Sequence, residues 1–115
     1  MTLTLYGIPN CDTVKKARRW LDDNGVAYRF HDFRKDGLDP ATFQGWIDKL
    51  GWEKLLNKSG TTFRKLPDAE KEGLSATSAK ALMLDQPAMI RRPVVEAEGG
   101  LSVGFSADDW QSRFA

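Results

Sequence analysis

The sequence predicts an α/β domain in which a mixed sheet is interrupted by a helical insertion midway along the chain. Three observations predict it. An alternating apolar segment at the N-terminus leads through a turn into an amphipathic helix and a second alternating segment. Helical periodicity then dominates from residue 39 to residue 84. The chain closes on two short apolar runs around a Gly-containing turn, followed by a capped helix.

In order, Thr2 to Tyr6 places Leu3 and Leu5 on one face and Thr2, Thr4 and Tyr6 on the other, the pattern of a strand. Gly7-Ile8-Pro9-Asn10 is a turn. A helix starts near Asp12, with Asp12 or Thr13 as its expected cap and Val14, Ala17 and Leu21 on its inner face. Lys15, Lys16, Arg18 and Arg19 are expected on its solvated face, and Asn24-Gly25 ends it. Val26, Tyr28 and Phe30 alternate with Ala27, Arg29 and His31, so a second strand follows, and a right-handed parallel β-α-β unit is the default.

Asp39-Pro40 opens the next helix, since proline suits the first turn. Phe43, Trp46, Ile47 and Leu50 form its inner stripe, and Gly51 stops it. Trp52 to Leu56 predicts a short helical turn, and Asn57 to Thr62 a loop. Ser75 to Leu84 predicts a helix with Ala79, Leu82 and Met83 inward. Val94-Val95, Glu98-Gly99-Gly100 and Leu101 to Phe105 predict a hairpin. Ser106 is placed to cap a last helix bearing Trp110 and Phe114. The order β-α-β, helices, β-β-α matches the thioredoxin-like, or glutaredoxin-like, plan. It predicts one domain over residues 1–115, with the core at about 1–38 and 87–115 and the insertion at about 39–86.

The chain has 115 residues, 41% hydrophobic and 29% charged, enough for one core without disulfides. Seventeen basic and 16 acidic residues give a net charge of +1, so bulk charge drives it toward neither nucleic acid nor an acidic membrane. No segment has the apolar length of a membrane span, and the N-terminus lacks the pattern of a secretory signal. The single cysteine forbids an intramolecular disulfide. The expectation is a cytoplasmic monomer that binds no metal.

That cysteine, Cys11, stands between the strand-ending turn and the helix start. Unpaired N–H groups and the positive end of the helix dipole favour thiolate there, and the thiolate is the nucleophile. A free cysteine titrates near ~8.5, and sites of this kind commonly bring it to roughly 3.5–7.5. The flanks Asn10 and Asp12 are polar, unlike those of an inert core cysteine. His31 lies in a strand ending at Asp32 with no orienting partner in the sequence, and is expected to be structural.

The stretch Leu5-Tyr6-Gly7-Ile8-Pro9-Asn10-Cys11-Asp12-Thr13, the segment Trp52-x-x-Leu55-Leu56-Asn57 and Arg91-Arg92-Pro93-Val94 resemble the ArsC/Spx family. The run Cys11 to Leu21 and Phe30-His31-Asp32-Phe33-Arg34 resemble its YffB branch. The resemblance covers essentially the whole chain. In the arsenate reductases of this family a helix-start cysteine attacks arsenate and three arginines hold the oxyanion. Cys11 matches the nucleophile and Arg92 one arginine, while Asn57 and Gly104 stand near the other two positions. A tetrahedral oxyanion needs several charge-assisted donors, which Arg91 or Arg64 would have to supply.

The resemblance therefore implies a glutathione-dependent thiol reductase with Cys11 as nucleophile and glutathione as co-substrate, no cofactor being bound. Glutathione would be held by Arg92, Pro93, Asn10, Thr13 and Arg91, with glutaredoxin or a thiol protein as further partner. It also implies a cis Arg92–Pro93 peptide. The alternatives are an arsenate reductase coupled to glutathione and glutaredoxin, or an Spx-like adapter binding the RNA polymerase alpha subunit. Spx-like regulators often carry a Cys-x-x-Cys switch, and here Val14 replaces its second cysteine.

Overall fold

The first five-residue run of the chain already shows why a sheet forms here. Leu3 and Leu5 are buried while Thr4 and Tyr6 are half-buried, so the period of two holds along strand β1, Leu3–Gly7. In this computed structural model, which describes residues 3–98 and 100–114, the elements follow in order. They are helix α1 (Asp12–Asp23), β2 (Tyr28–Asp32), α2 (Pro40–Leu50), α3 (Trp52–Leu55), α4 (Thr61–Arg64), α5 (Asp68–Glu72) and α6 (Ala76–Asp85). A 3-10 turn (Pro87–Met89), β3 (Val94–Ala97), β4 (Gly100–Val103) and α7 (Ala107–Phe114) complete the chain. Two compact units result, one from Met1–Gly37 with Arg92–Ala115, the other from Leu38–Arg91.

The first unit is a four-stranded sheet in the order β2-β1-β3-β4. β1 runs parallel to β2 with Leu5 opposite Phe30, and antiparallel to β3 with Leu5 opposite Val95. β3 and β4 form the hairpin, with Val94 opposite Val103. The predicted turn residue Gly99 lies outside the described residues, as does Thr2 at the start of β1. Leu3, Leu5, Val14, Ala17, Leu21, Val95 and Trp110 make one buried cluster, so α1 and α7 share a face of the sheet. Trp110 sits at its centre, edge-on to Trp20, Phe105 and Phe114 at centroid distances of 5.7, 4.7 and 5.5 Å. This is the thioredoxin-like arrangement that the element order predicts.

Several boundaries differ from the sequence pattern for local reasons. β2 begins at Tyr28, because the Val26 N–H still donates to the Leu21 carbonyl in the turn that leaves α1. β4 ends at Val103, because Gly104 turns at φ +91° and donates its N–H to the Pro93 carbonyl at 2.8 Å. Arg18 is not a freely solvated cation. Its guanidinium lies 4.3 Å from the Phe30 ring centre and its Nε donates to the Tyr28 hydroxyl.

In the second unit, Asp39 caps α2 by accepting from the Thr42 N–H at 3.0 Å, and Phe43, Trp46 and Ile47 are buried. Gly51, at φ +88°, separates α2 from α3. The Asn57–Thr62 loop gives way to α4 at Thr61, and α5 follows, two helices of barely one turn. Ser75 and Ser78 cap α6 reciprocally, each accepting from the other's backbone N–H. Ala79 and Met83 of α6 are buried, whereas Leu82, expected inward, is only half-buried. Leu56 bridges Ile90, and Leu55 accepts from the Arg91 N–H, which ties the exit of this unit to its α3 end.

Candidate active site at Cys11

β1 delivers the chain to this site and a glycine sets the distance. Gly7 is buried beneath the first turns of α1, where an added Cβ would stand 2.8 Å from Cγ2 of Val14. Only the absence of a side chain allows that approach. The chain then turns through buried Ile8 and exposed Pro9 and Asn10 to Cys11.

Cys11 itself is the N-cap residue of α1, at φ −120° and ψ 126°, which corrects the expected cap at Asp12 or Thr13. The reason is backbone pairing: the Cys11 carbonyl already accepts from the Lys15 N–H at 2.9 Å, so helical geometry begins one residue earlier. No side chain at this cap accepts from the first-turn N–H groups. Those groups and the helix dipole therefore present partial positive charge around the sulfur. Cys11 is half-buried against the core cluster, with one side to solvent. Exposed Lys15 and Lys16 add positive charge in the same turns, and Asp12 opposes them.

The sheet register brings the other end of the motif to the same place. Tyr6 is opposite Val94, so the loop carrying Cys11 leaves β1 at the end where Pro93 enters β3. The Arg92–Pro93 peptide is cis, as the resemblance implied. Pro93 is buried, and its carbonyl is held by the Gly104 N–H. Arg92 is half-buried, with its Nε shielded from solvent. Asn10 and Thr13 are exposed on either side of Cys11. Arg91 is also exposed, but it belongs to the second unit, anchored there through Leu55.

The remaining named residues have local roles. His31 Nε2 lies 2.6 Å from the Gly37 carbonyl and its ring packs tilted on Tyr6, so it braces the turn after β2. The Asn57 N–H donates to Met89, its Oδ1 accepts from the Ser59 N–H at 3.2 Å, and its carbonyl accepts from Gly60. Asn57 is thus a turn-forming residue. Gly104, at φ +91°, occupies backbone space that side chains rarely adopt. Arg64 is exposed on α4, and its carbonyl accepts from Lys71 Nζ.

Sequence reasoning missed one tie near the site. The Tyr6 hydroxyl donates to Glu96 Oε1 at 2.5 Å on the sheet face opposite the core cluster. Burial first, then the Glu96 hydrogen bond and charge, push the Tyr6 phenol far above its ordinary value, with Arg29 opposing. The two residues are 90 positions apart, and no local pattern announces such a pair.

A thioredoxin-like sheet with one cysteine at a helix start and a cis-proline at the same sheet end defines the class of fold to which the chain belongs. The chain belongs to the ArsC family, whose model matches residues 6–113. Among solved structures it is similar to the YffB protein, at 49% identity and a TM-score of 0.93, covering 99% of this chain and 100% of that one. It is also similar to an arsenate reductase (ArsC) related protein from Brucella melitensis, at 51% identity and a TM-score of 0.82, covering 97% and 93%. The global transcriptional regulator Spx of Streptococcus agalactiae is 27% identical over 109 residues, 93% of this chain and 79% of that protein.

Proposed function

We propose that the protein is a glutathione-dependent thiol reductase in which Cys11 is the only nucleophile. The observation that carries the reading is the position of Cys11: N-cap of α1, half-exposed, its side chain uncommitted to capping, in a chain with no second cysteine. The Cys11 thiolate attacks the glutathione sulfur of a glutathionylated substrate. A Cys11–glutathione disulfide forms, the substrate disulfide breaks, and the substrate thiolate leaves and takes a proton. A second glutathione thiolate then attacks the glutathione sulfur of that mixed disulfide, releasing oxidised glutathione and restoring Cys11. Val14 occupies the place of a resolving cysteine and is fully buried, so the second thiol comes from outside.

Arg92, the first-turn N–H groups, Asn10 and Thr13 are suited to the carboxylates and amides of glutathione. Pro93 lines the same end of the sheet, and Arg91 supplies a further exposed cation. Glutaredoxin or a glutathionylated protein is the partner, and the cytoplasm is the compartment where glutathione keeps such a thiol reduced.

Similarity to an arsenate reductase related protein favours arsenate as a second substrate. Against efficient arsenate reduction stand the turn role of Asn57 and the positive φ of Gly104, which leave Arg92 alone of the expected clamp. The test is turnover of a glutathionylated peptide with glutathione, followed by release of the peptide thiol. The wild type turns over and forms a Cys11–glutathione adduct seen by mass, and Cys11→Ser does neither. Wild-type arsenate turnover that outpaces the peptide reaction reverses the choice. Inertness toward both substrates, with recovery of the RNA polymerase alpha subunit in a pull-down, assigns the Spx-like adapter role instead.

A further inference from the structure

Helix α6 has apolar residues on two sides, and the core explains only one. Ala79 and Met83 are fully buried within the second unit. Ser78, Ala81, Leu82 and Asp85 recur at i, i+3, i+4 and i+7, which sets them on a separate stripe of the helix. With Ala69 and Glu70 of α5 they line a solvent-open groove of about 370 Å³. A helix apolar on both sides is ordinarily covered on both, yet Ala69 and Ala81 are exposed and Leu82 is half-exposed.

Charge narrows what fits the groove. Its apolar floor is edged by the carboxylates of Glu70 and Asp85, and neither forms an ion pair among the described residues. Asp68 and Glu72 are further exposed carboxylates of α5, which gives this short helix a net negative charge. The one cation of α5, Lys71, is committed elsewhere: its Nζ donates to the Arg64 carbonyl and lies 5.9 Å from the Phe63 ring centre. Lys80 falls outside the stripe, two positions from both Ser78 and Leu82.

We propose that this groove docks a basic amphipathic helix of a partner protein. An aliphatic side chain of the partner sits between Ala69, Ala81 and Leu82, and its Lys or Arg residues flank Glu70 and Asp85. This is helix-in-groove recognition, in which apolar anchors provide contact and rim charges choose the partner. The groove shares no residue with the thiol site, so docking is independent of Cys11.

The experiment titrates the isotopically labelled full chain with a synthetic Leu/Lys helical peptide and, separately, with a Leu/Glu peptide of the same apolar pattern. Amide shifts are followed by NMR. The Leu/Lys peptide shifts Glu70, Ala81, Leu82 and Asp85, and the Leu/Glu peptide binds about tenfold more weakly. Ala81→Arg, an exposed substitution with good helix propensity, abolishes the shifts, and Cys11→Ser leaves them intact. Equal binding of both peptides, shifts centred elsewhere, or binding unaffected by Ala81→Arg overturns the proposal. Peptide-free self-association that Ala81→Arg removes also overturns it, by assigning the groove to a second copy of the chain.

Discussion

Replacing Gly7 by alanine tests the geometry beneath Cys11 most directly. The new methyl would stand 2.8 Å from Cγ2 and 3.5 Å from Cγ1 of Val14. Comfortable carbon contacts lie at about 3.5–4.0 Å, so the first is short by roughly 0.7–1.2 Å. Val14 is fully buried and β-branched, and a helix leaves it essentially one rotamer, so it has no way to swing aside. The start of α1 must move instead, carrying Cys11 with it. Overpacking of this kind costs about 1–3 kcal/mol, a loss of roughly 4–12 °C in Tm for a chain of this size. Urea denaturation followed by tryptophan fluorescence measures it. The double variant Gly7→Ala/Val14→Ala leaves Cβ facing Cβ at 3.7 Å, an ordinary contact. It should therefore be more stable than the sum of the single losses by at least about 1 kcal/mol. A Gly7→Ala variant within about 0.5 kcal/mol of the parent, or strictly additive losses, would refute the close-approach reasoning.

Three further outcomes follow from the same structure. Tyr6→Phe removes the hydroxyl that donates to Glu96 and lowers stability at neutral pH by about 1–2 kcal/mol in urea melts. Because the fold raises the Tyr6 phenol above its ordinary value, its stabilising share is complete below about pH 10 and falls as pH rises beyond that. The wild type thus loses stability more steeply than Tyr6→Phe between about pH 10 and 11.5, and parallel curves would remove Tyr6 from the account. Asp39→Ala deletes the α2 cap and costs about 1 kcal/mol by thermal melting, whereas Asp39→Asn costs little. Gly104→Arg forces a side chain onto φ +91° and destabilises by about 1–3 kcal/mol. It confers no arsenate turnover, and a stable, arsenate-active Gly104→Arg would show that the backbone there relaxes freely.

Features written in adjacent residues were legible in the sequence. Asp39-Pro40 and Ser106 before α7 announce helix starts through short-range chemistry, and each start lies where those residues put it. The alternation of Leu3, Leu5 and their polar neighbours was enough to place β1, and the family motifs together predicted the cis Arg92–Pro93 peptide. What escaped was either too short to have a period or too distant to have a pattern. α4 and α5 hold four and five residues, about one turn each, and so offer no stripe to read. Leu82 follows helical spacing as well as Met83 does, but spacing does not distinguish a core face from a second apolar face. At the candidate site the sequence exposed Cys11 as a helix-start cysteine. The Gly7–Val14 contact and the Gly104 hold on Pro93 appear only once strands and helix are packed.

The aromatic residues have an experimental consequence of their own. Trp20 and Trp110 meet edge-on in the first unit, while Trp46 and Trp52 both lie in the second, where Trp46 packs against Phe43. The protein therefore has a natural pair of fluorophores in each half. Substituting Trp46 and Trp52 by phenylalanine leaves emission that reports only on the sheet unit, and substituting Trp20 and Trp110 leaves emission that reports only on the helical one. With those two variants, the denaturation of each half is followed separately in emission spectra, without any attached dye.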